Sequence, residues 1–331
     1  MIALVTGGGG FLGSAIVKQL LARGDQVRSF SREAHPGLSR LGVQQIQGDI
    51  ANLNAVQEAV RGCDIVFHVA AKAGIWGTYE QYYRANVSGT ENVVAACQSH
   101  GVGRLVFTGS PSAVFDGYDV EGGDESLPYP ASYEAHYPHT KAVAEQIVLG
   151  ANSASLATVS LRPHLIWGPG DNHLVPRIVA KSRSGKLRRI GSRPCLVDTV
   201  YIDNAADAHL NAADRLLPGA PLAGKAYFIS NGEPLPLWEM VNRILAAAGL
   251  PSETRSIPLK LARALGTLCE MAWKILSLSG EPPMTRFLAN ELSSAHWFDI
   301  SAARRDLGYL PAVSIDEGLK RLKKSFEAAG R

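Results

Sequence analysis

Five apolar or hydroxyl residues, Ile2-Ala3-Leu4-Val5-Thr6, run straight into the glycine-rich turn Gly7-Gly8-Gly9-Gly10-Phe11-Leu12-Gly13. A continuous apolar run of this length has no polar face. It reads as a strand buried on both sides, the signature of a parallel sheet covered by two helical layers. A helix is predicted next, with Leu12, Ile16 and Leu20 on one face and Gly24 just past its end. The strand–glycine–helix order recurs in weaker form. Strands are predicted at 27–31, 42–46, 64–70, 104–108 and 157–161, with helices such as 86–97 and 137–149 between them. The expected fold class is α/β, a doubly wound, Rossmann-type parallel sheet with right-handed crossovers.

After about Pro163 the alternation becomes irregular. Segments 172–184 and 234–250 look helical and 226–229 looks like a strand, with prolines punctuating the rest. The expected organisation is a dinucleotide-binding domain with the catalytic residues over 1–165. A smaller, mostly helical substrate lobe covers 166–331, with segments around 195–230 returning to the sheet.

The glycines sit where a dinucleotide needs them. Gly7, Gly10 and Gly13 form G-x-x-G-x-x-G between strand and helix, so the backbone can approach a pyrophosphate and the helix N-terminus can offer it free N–H groups. Phe11 and Leu12 belong to the same turn. At the end of the second strand, where an acid would hold the ribose 2′-hydroxyl of NAD(H), stands Ser31-Arg32. An arginine fork suits a 2′-phosphate. NADP(H) is therefore the expected cofactor and NAD(H) the alternative. Asp49 and Ile50 after the third strand are placed near the adenine, and Ala70, Ala71 and Lys72 after the fourth near the cofactor's middle.

Tyr137-Pro138-His139-Thr140-Lys141 carries the chemistry. A spacing of four on a helix puts Tyr137 and Lys141 on one face. A phenol beside an ammonium is expected to titrate nearer working pH, fit to exchange a proton with a carbonyl oxygen. The fifth strand runs into Gly109-Ser110-Pro111-Ser112, where the Ser110 hydroxyl can bond the substrate oxygen and Ser112 is the runner-up. Asn86 is read two ways: supporting Lys141 through water, or bracing strand against helix.

Composition excludes several alternatives. Of 331 residues, 46% are hydrophobic and 19% charged, and the net charge is +3, with no dense basic cluster for nucleic acid. Cys63, Cys97, Cys195 and Cys269 lack metal-ligand or C-x-x-C spacing, so no metal and only reduced thiols are expected. No signal peptide or spanning run is read, and a cytoplasmic location is expected.

These motifs together resemble the extended short-chain dehydrogenase/reductases, specifically the 3β-hydroxysteroid dehydrogenase branch. The resemblance runs nearly end to end, through Asn86-Val87-Ser88-Gly89-Thr90, Arg162-Pro163-His164-Leu165-Ile166-Trp167-Gly168-Pro169-Gly170 and Val197-Asp198-Thr199-Val200-Tyr201. It implies Ser110, Tyr137 and Lys141 as a catalytic triad, with Pro163 and Ile166 beside the nicotinamide. Within the branch the chain is similar to two groups. One reduces 2-alkyl-3-oxoalkanoic acids with NADPH in bacterial olefin biosynthesis. The other oxidises sterol-4-carboxylates with decarboxylation. Ser112-Ala113-Val114-Phe115 and Leu174-Val175-Pro176-Arg177 are shared with both. The implied substrate is a hydrophobic β-oxo or β-hydroxy acid. The basic Arg32 favours the NADPH reductase reading over the steroid one.

Position alone offers Lys72, His164 and Arg177 for the substrate carboxylate, with Trp76, Trp167 and the 257–290 helices as apolar walls. Segment 257–279, carrying Lys260, Arg263, Glu270 and Lys274, is amphipathic. A peripheral membrane contact through 257–290 is an expectation, as are a homodimer and a complex with other enzymes of the pathway.

Overall fold

The structure, a computed structural model, describes residues 1–329; residues 330 and 331, the end of the expected lobe, lie outside them. Seven strands form one parallel sheet: β1 (Ile2–Thr6), β2 (Gln26–Ser31), β3 (Gln44–Gln47), β4 (Ile65–His68), β5 (Arg104–Thr108), β6 (Ala157–Pro163) and β7 (Lys225–Ile229). Their order across the sheet is β3-β2-β1-β4-β5-β6-β7. The chain starts in the middle, winds outward one way, then returns and winds outward the other. That leaves a switch point between β1 and β4, where such sheets hold ligands.

Alternation along each strand builds the two helical layers. Ala3 and Val5 point into one core with Ile16, Leu20, Ile65, Phe67 and Val106. Leu4 points into the other, with Phe30, Val66, Leu105, Phe107 and Val148. Both faces are therefore covered, which is why these strands read as unbroken apolar runs. Burying each such side chain contributes roughly 1.5–3 kcal/mol, so the sheet is the rigid frame.

The second half adds β7 to the sheet's edge by residues Lys225–Ile229 pairing with Val159–Pro163. It also contributes to a separate four-stranded sheet that joins Leu235–Pro236, Leu196–Val197, His296–Phe298 and Val120–Gly123, in that order. This small sheet brings together segments nearly two hundred residues apart, beside the carboxyl end of β6.

The helix Leu259–Ile275 buries only Ala262 and Gly266. Leu261, Leu265, Leu268, Met271 and Ile275 lie exposed along it. No helix among the described residues is long and apolar enough to cross a membrane.

Candidate active site

The glycine turn closes tightly on itself. Gly7 takes a left-handed φ of +70°, and a side chain at Gly13 would come within 2.2 Å of the Gly7 carbonyl oxygen. The helix Phe11–Ala22 starts at Gly10 with no side-chain cap, so its first amides remain free for an anion. These features fit a dinucleotide pyrophosphate.

A buried polar chain fixes the next strand end. The Thr6 hydroxyl lies 2.8 Å from His68 Nδ1 and accepts the Val69 and Ala70 amides at 3.1 Å each. His68 Nε2 reaches the Thr90 hydroxyl at 3.0 Å. Burial pulls His68 down to about 3, so the imidazole stays neutral. Lys72 contributes here through its backbone: its N–H donates to Asn86 Oδ1 at 2.7 Å, and its carbonyl accepts from Asn86 Nδ2 at 3.2 Å. Its ammonium lies over the Tyr82 ring, away from the cavity described below, so it is not placed to receive a substrate carboxylate there.

Asn86 lies in a π-helical turn, Tyr83–Ser88, and its Nδ2 also donates to the Thr140 hydroxyl at 3.1 Å. Of its two readings, the geometry shows the brace, tying the β4 loop to the helix His136–Gly150 that carries Tyr137 and Lys141.

On the adenosine side, Ser31 donates to the Glu33 carbonyl and Arg32 is exposed. Asp49 is not free: Arg84 donates to its carboxylate at 2.7 Å, and the Ala51 backbone N–H first, then Arg84, hold it below the usual carboxylate range. Arg84 is a second cation at this strand end that sequence reading passed over, because it comes from a helix nearly forty residues on. Ile50 packs against Gly89 rather than facing the strand end with its side chain.

Tyr137 and Ser110 open on one cavity of about 280 Å³, also lined by Ser112, Pro163, His164, Arg177 and Glu291. Phe115, Phe287, Phe298, Ile75 and Leu165 supply its apolar surface. Leu165, a non-glycine residue at φ +43°, marks local strain beside Pro163. Ser110 and Ser112 hydroxyls lie 2.8 Å apart. Burial pushes the Tyr137 phenol above its ordinary value, and the facing Ser110 hydroxyl pulls part of the way back.

Lys141 departs from its expected role as the charge that lowers Tyr137. Its ammonium donates to the Thr108 carbonyl at 2.6 Å and lies 4.1 Å from the Phe107 ring centre. Burial lowers it to about 7, against a smaller opposing pull from Glu145.

One helical turn below Lys141, Glu145 anchors the wall. It accepts from Arg162 Nη2 at 2.6 Å, from Ser160 at 2.6 Å and from Tyr129 at 2.8 Å, entirely out of water. This packing explains Gly109: a side chain there would come within 2.7 Å of the Glu145 carboxylate and 2.6 Å of the Ser160 hydroxyl.

Two aromatic assignments are corrected. Trp167 is completely buried, its ring N–H bonded to Thr199 and its ring in a T-shaped contact with Tyr201, so it is core. Trp76 does not line the cavity; its carbonyl accepts the Tyr82 hydroxyl. Ile166, expected beside the nicotinamide, pairs with Val200 in a short strand.

Of the opposite wall, Phe287 lies within the 257–290 helices expected to wall the apolar chains, while Glu291, His296 and Phe298 were not foreseen. Phe287 and Glu291, four apart on the helix Arg286–Glu291, both face inward. His296 and Phe298 do so from one face of the small sheet. Asp198 Oδ1 lies 2.5 Å from His164 Nδ1, and His164 Nε2 lies 3.2 Å from His296 Nδ1.

The profile of the 3-beta hydroxysteroid dehydrogenase/isomerase family matches residues 4–261. The chain belongs to that family. This 3-beta hydroxysteroid dehydrogenase family member is thus an oxidoreductase of the extended short-chain dehydrogenase/reductase type. It is 56% identical to the 2-alkyl-3-oxoalkanoate reductase of Stenotrophomonas maltophilia, over 99% of this chain and 100% of the relative. It is 36% identical to the decarboxylating sterol-4-alpha-carboxylate 3-dehydrogenase of Mus musculus, over 97% of this chain and 90% of the relative. The fold is also that of the UDP-glucose 4-epimerase of Thermus thermophilus, solved with NAD. That match has TM-score 0.77 and 24% identity over 99% of this chain and 100% of the other. Turn, strand ends and family together call for a nicotinamide dinucleotide.

Proposed function

We propose that this chain reduces a 2-alkyl-3-oxoalkanoic acid to the 2-alkyl-3-hydroxyalkanoic acid with NADPH. The observation that carries the reading is the single cavity in which Tyr137 and Ser110 face an apolar surface bearing His164 and Arg177. The full-length similarity to a 2-alkyl-3-oxoalkanoate reductase supports the acyl substrate, and the sterol relative is more distant.

NADPH supplies the hydride when bound. The chain supplies the rest. Ser110 and Tyr137 donate hydrogen bonds to the oxygen that becomes an alkoxide, and Tyr137 gives up its proton to it. A phenol held above its ordinary value by burial stays protonated, which suits the reductive direction. Lys141, held by the Thr108 carbonyl, is poised between ammonium and amine near neutral pH and can restore the Tyr137 proton. Phe115, Phe287 and Phe298 exclude water and take up alkyl chains.

Arg32 and Arg84 are the cations for the 2′-phosphate that favours NADP(H) over NAD(H). The test is the ratio of affinities for the two cofactors. Arg32→Ala should lower that for NADPH and leave that for NADH nearly as it was. An unchanged ratio removes the assignment.

A further inference from the structure

We infer that Glu291 is the specificity-determining residue for the substrate's carboxylate, meeting it through an O–H···O⁻ hydrogen bond, with His164 beside it. The inference rests on the reading that the substrate is a 3-oxo or 3-hydroxy acid and deepens it.

Three geometric facts support it. Glu291 lines the same cavity as Tyr137 and Ser110, and its carboxyl has no hydrogen-bond partner among the described residues. An acid donor bound across that cavity would leave the reacting oxygen free for Tyr137. The hydrogen-bond chain behind it also orients His164. His296 Nε2 lies 3.0 Å from the Glu291 backbone carbonyl, which can only accept, so Nε2 carries the proton. His296 is buried and neutral, pulled down to about 4, so its Nδ1 is an acceptor. His164 Nε2 must then donate to it, and His164 Nδ1 lies 2.5 Å from Asp198 Oδ1. His164 is thereby fixed between Asp198 and His296, on the lining of the same cavity as Glu291.

The charges facing Glu291 come from every side. Tyr137 faces it from the catalytic helix, His164 from the end of β6, and His173 and Arg177 from the rim. Arg177 is already held by Glu281 at 2.5 Å. On its own helix Arg286 is held by Glu270 at 2.9 Å. An ionised Glu291 would repel an anionic substrate. Burial raises it instead to about 7, against the pull of His164, and an arriving carboxylate raises it further. Above that pH, binding must therefore take up a proton.

The test uses the enzyme with NADP⁺ and a 2-alkyl-3-hydroxyalkanoate, the stable partner of the oxo acid. Binding is followed by calorimetry in two buffers of different ionisation enthalpy, at a pH above the Glu291 value. Wild type should take up about one proton per site, and Glu291→Gln none. Glu291→Ala should raise KM for the acid, relative to a matched alcohol lacking the carboxylate, by roughly ten- to a hundredfold, with kcat little changed. NADP⁺ affinity reports that each variant is folded. Equal proton uptake in wild type and Glu291→Gln, or an unchanged acid-to-alcohol ratio in Glu291→Ala, overturns the inference while wild-type turnover of the acid keeps the proposed function. No turnover of the acid by wild type sinks both.

Discussion

The two walls of the cavity each hold a titratable group that desolvation moves to about 7, Lys141 buried and Glu291 half-buried, yet they are built in opposite ways. Lys141 belongs to a wall assembled from consecutive strand ends and one helix, and its amine is tied to the Thr108 carbonyl at 2.6 Å. Glu291 belongs to a wall assembled from 164, 198, 291 and 296, and its carboxyl is left without a partner. In the first wall the amine and the Glu145 carboxylate are both held by hydrogen bonds, as proton transfer requires. The second leaves an acid for the ligand to satisfy, as selectivity requires. Sheet-end chemistry and lobe-side recognition are thus separable, and substitutions should separate them.

The largest expected effect is on the sheet-end wall. Tyr137→Phe should lower kcat by roughly 10²–10⁴ with NADPH affinity retained, measured by cofactor oxidation. A comparable loss from Glu291→Ala in kcat would erase the division of labour. Next in size is Glu145→Gln, which leaves Arg162 buried without its counter-charge. It should cost about 3–5 kcal/mol in denaturant unfolding, a penalty with no counterpart on the Glu291 side, where the carboxyl bonds nothing.

Lys141→Met sharpens the contrast by pH. The folded-state value of Lys141 lies below its ordinary 10.5, so holding the ammonium inside destabilises the native state. Below about 7 the penalty is complete, and it disappears as pH rises to 10.5. The methionine variant should therefore be inactive but more stable than wild type at neutral pH, with the gain shrinking in alkali. Thermal unfolding across that range checks it. The smallest effect is Arg84→Ala. Losing an exposed cation should weaken NADPH by roughly two- to fivefold, consistent with an exposed pair worth about 0–1 kcal/mol, as titration of cofactor fluorescence would show.

The same division explains what could be read from the chain. The strands, the glycine turn and Tyr137 with Lys141 are local: alternation, turn chemistry and a four-residue spacing carry them. The Glu145 network was invisible although Glu145 is only four residues past Lys141, because its partners Arg162, Ser160 and Tyr129 arrive from other segments. The need for glycine at 109 was equally hidden, because the Glu145 carboxylate and the Ser160 hydroxyl that fill the space beside it come from other segments. Trp167 stands in the same motif as Pro163, but strand pairing with Val200–Tyr201 turns it into the core. Glu291 and His296 carry no motif at all. Only the small sheet, which closes contacts across more than a hundred residues, sets them before Tyr137.

The central claim is that Tyr137 serves NADPH-dependent reduction of a carbonyl β to a carboxylate. Its most direct test is NADPH oxidation with a 2-alkyl-3-oxoalkanoic acid, following the product by mass spectrometry. Wild type should form the 2-alkyl-3-hydroxyalkanoic acid with one NADPH consumed per product, and Tyr137→Phe should form almost none. Full turnover in Tyr137→Phe, or NADPH left unconsumed by wild type, would contradict it.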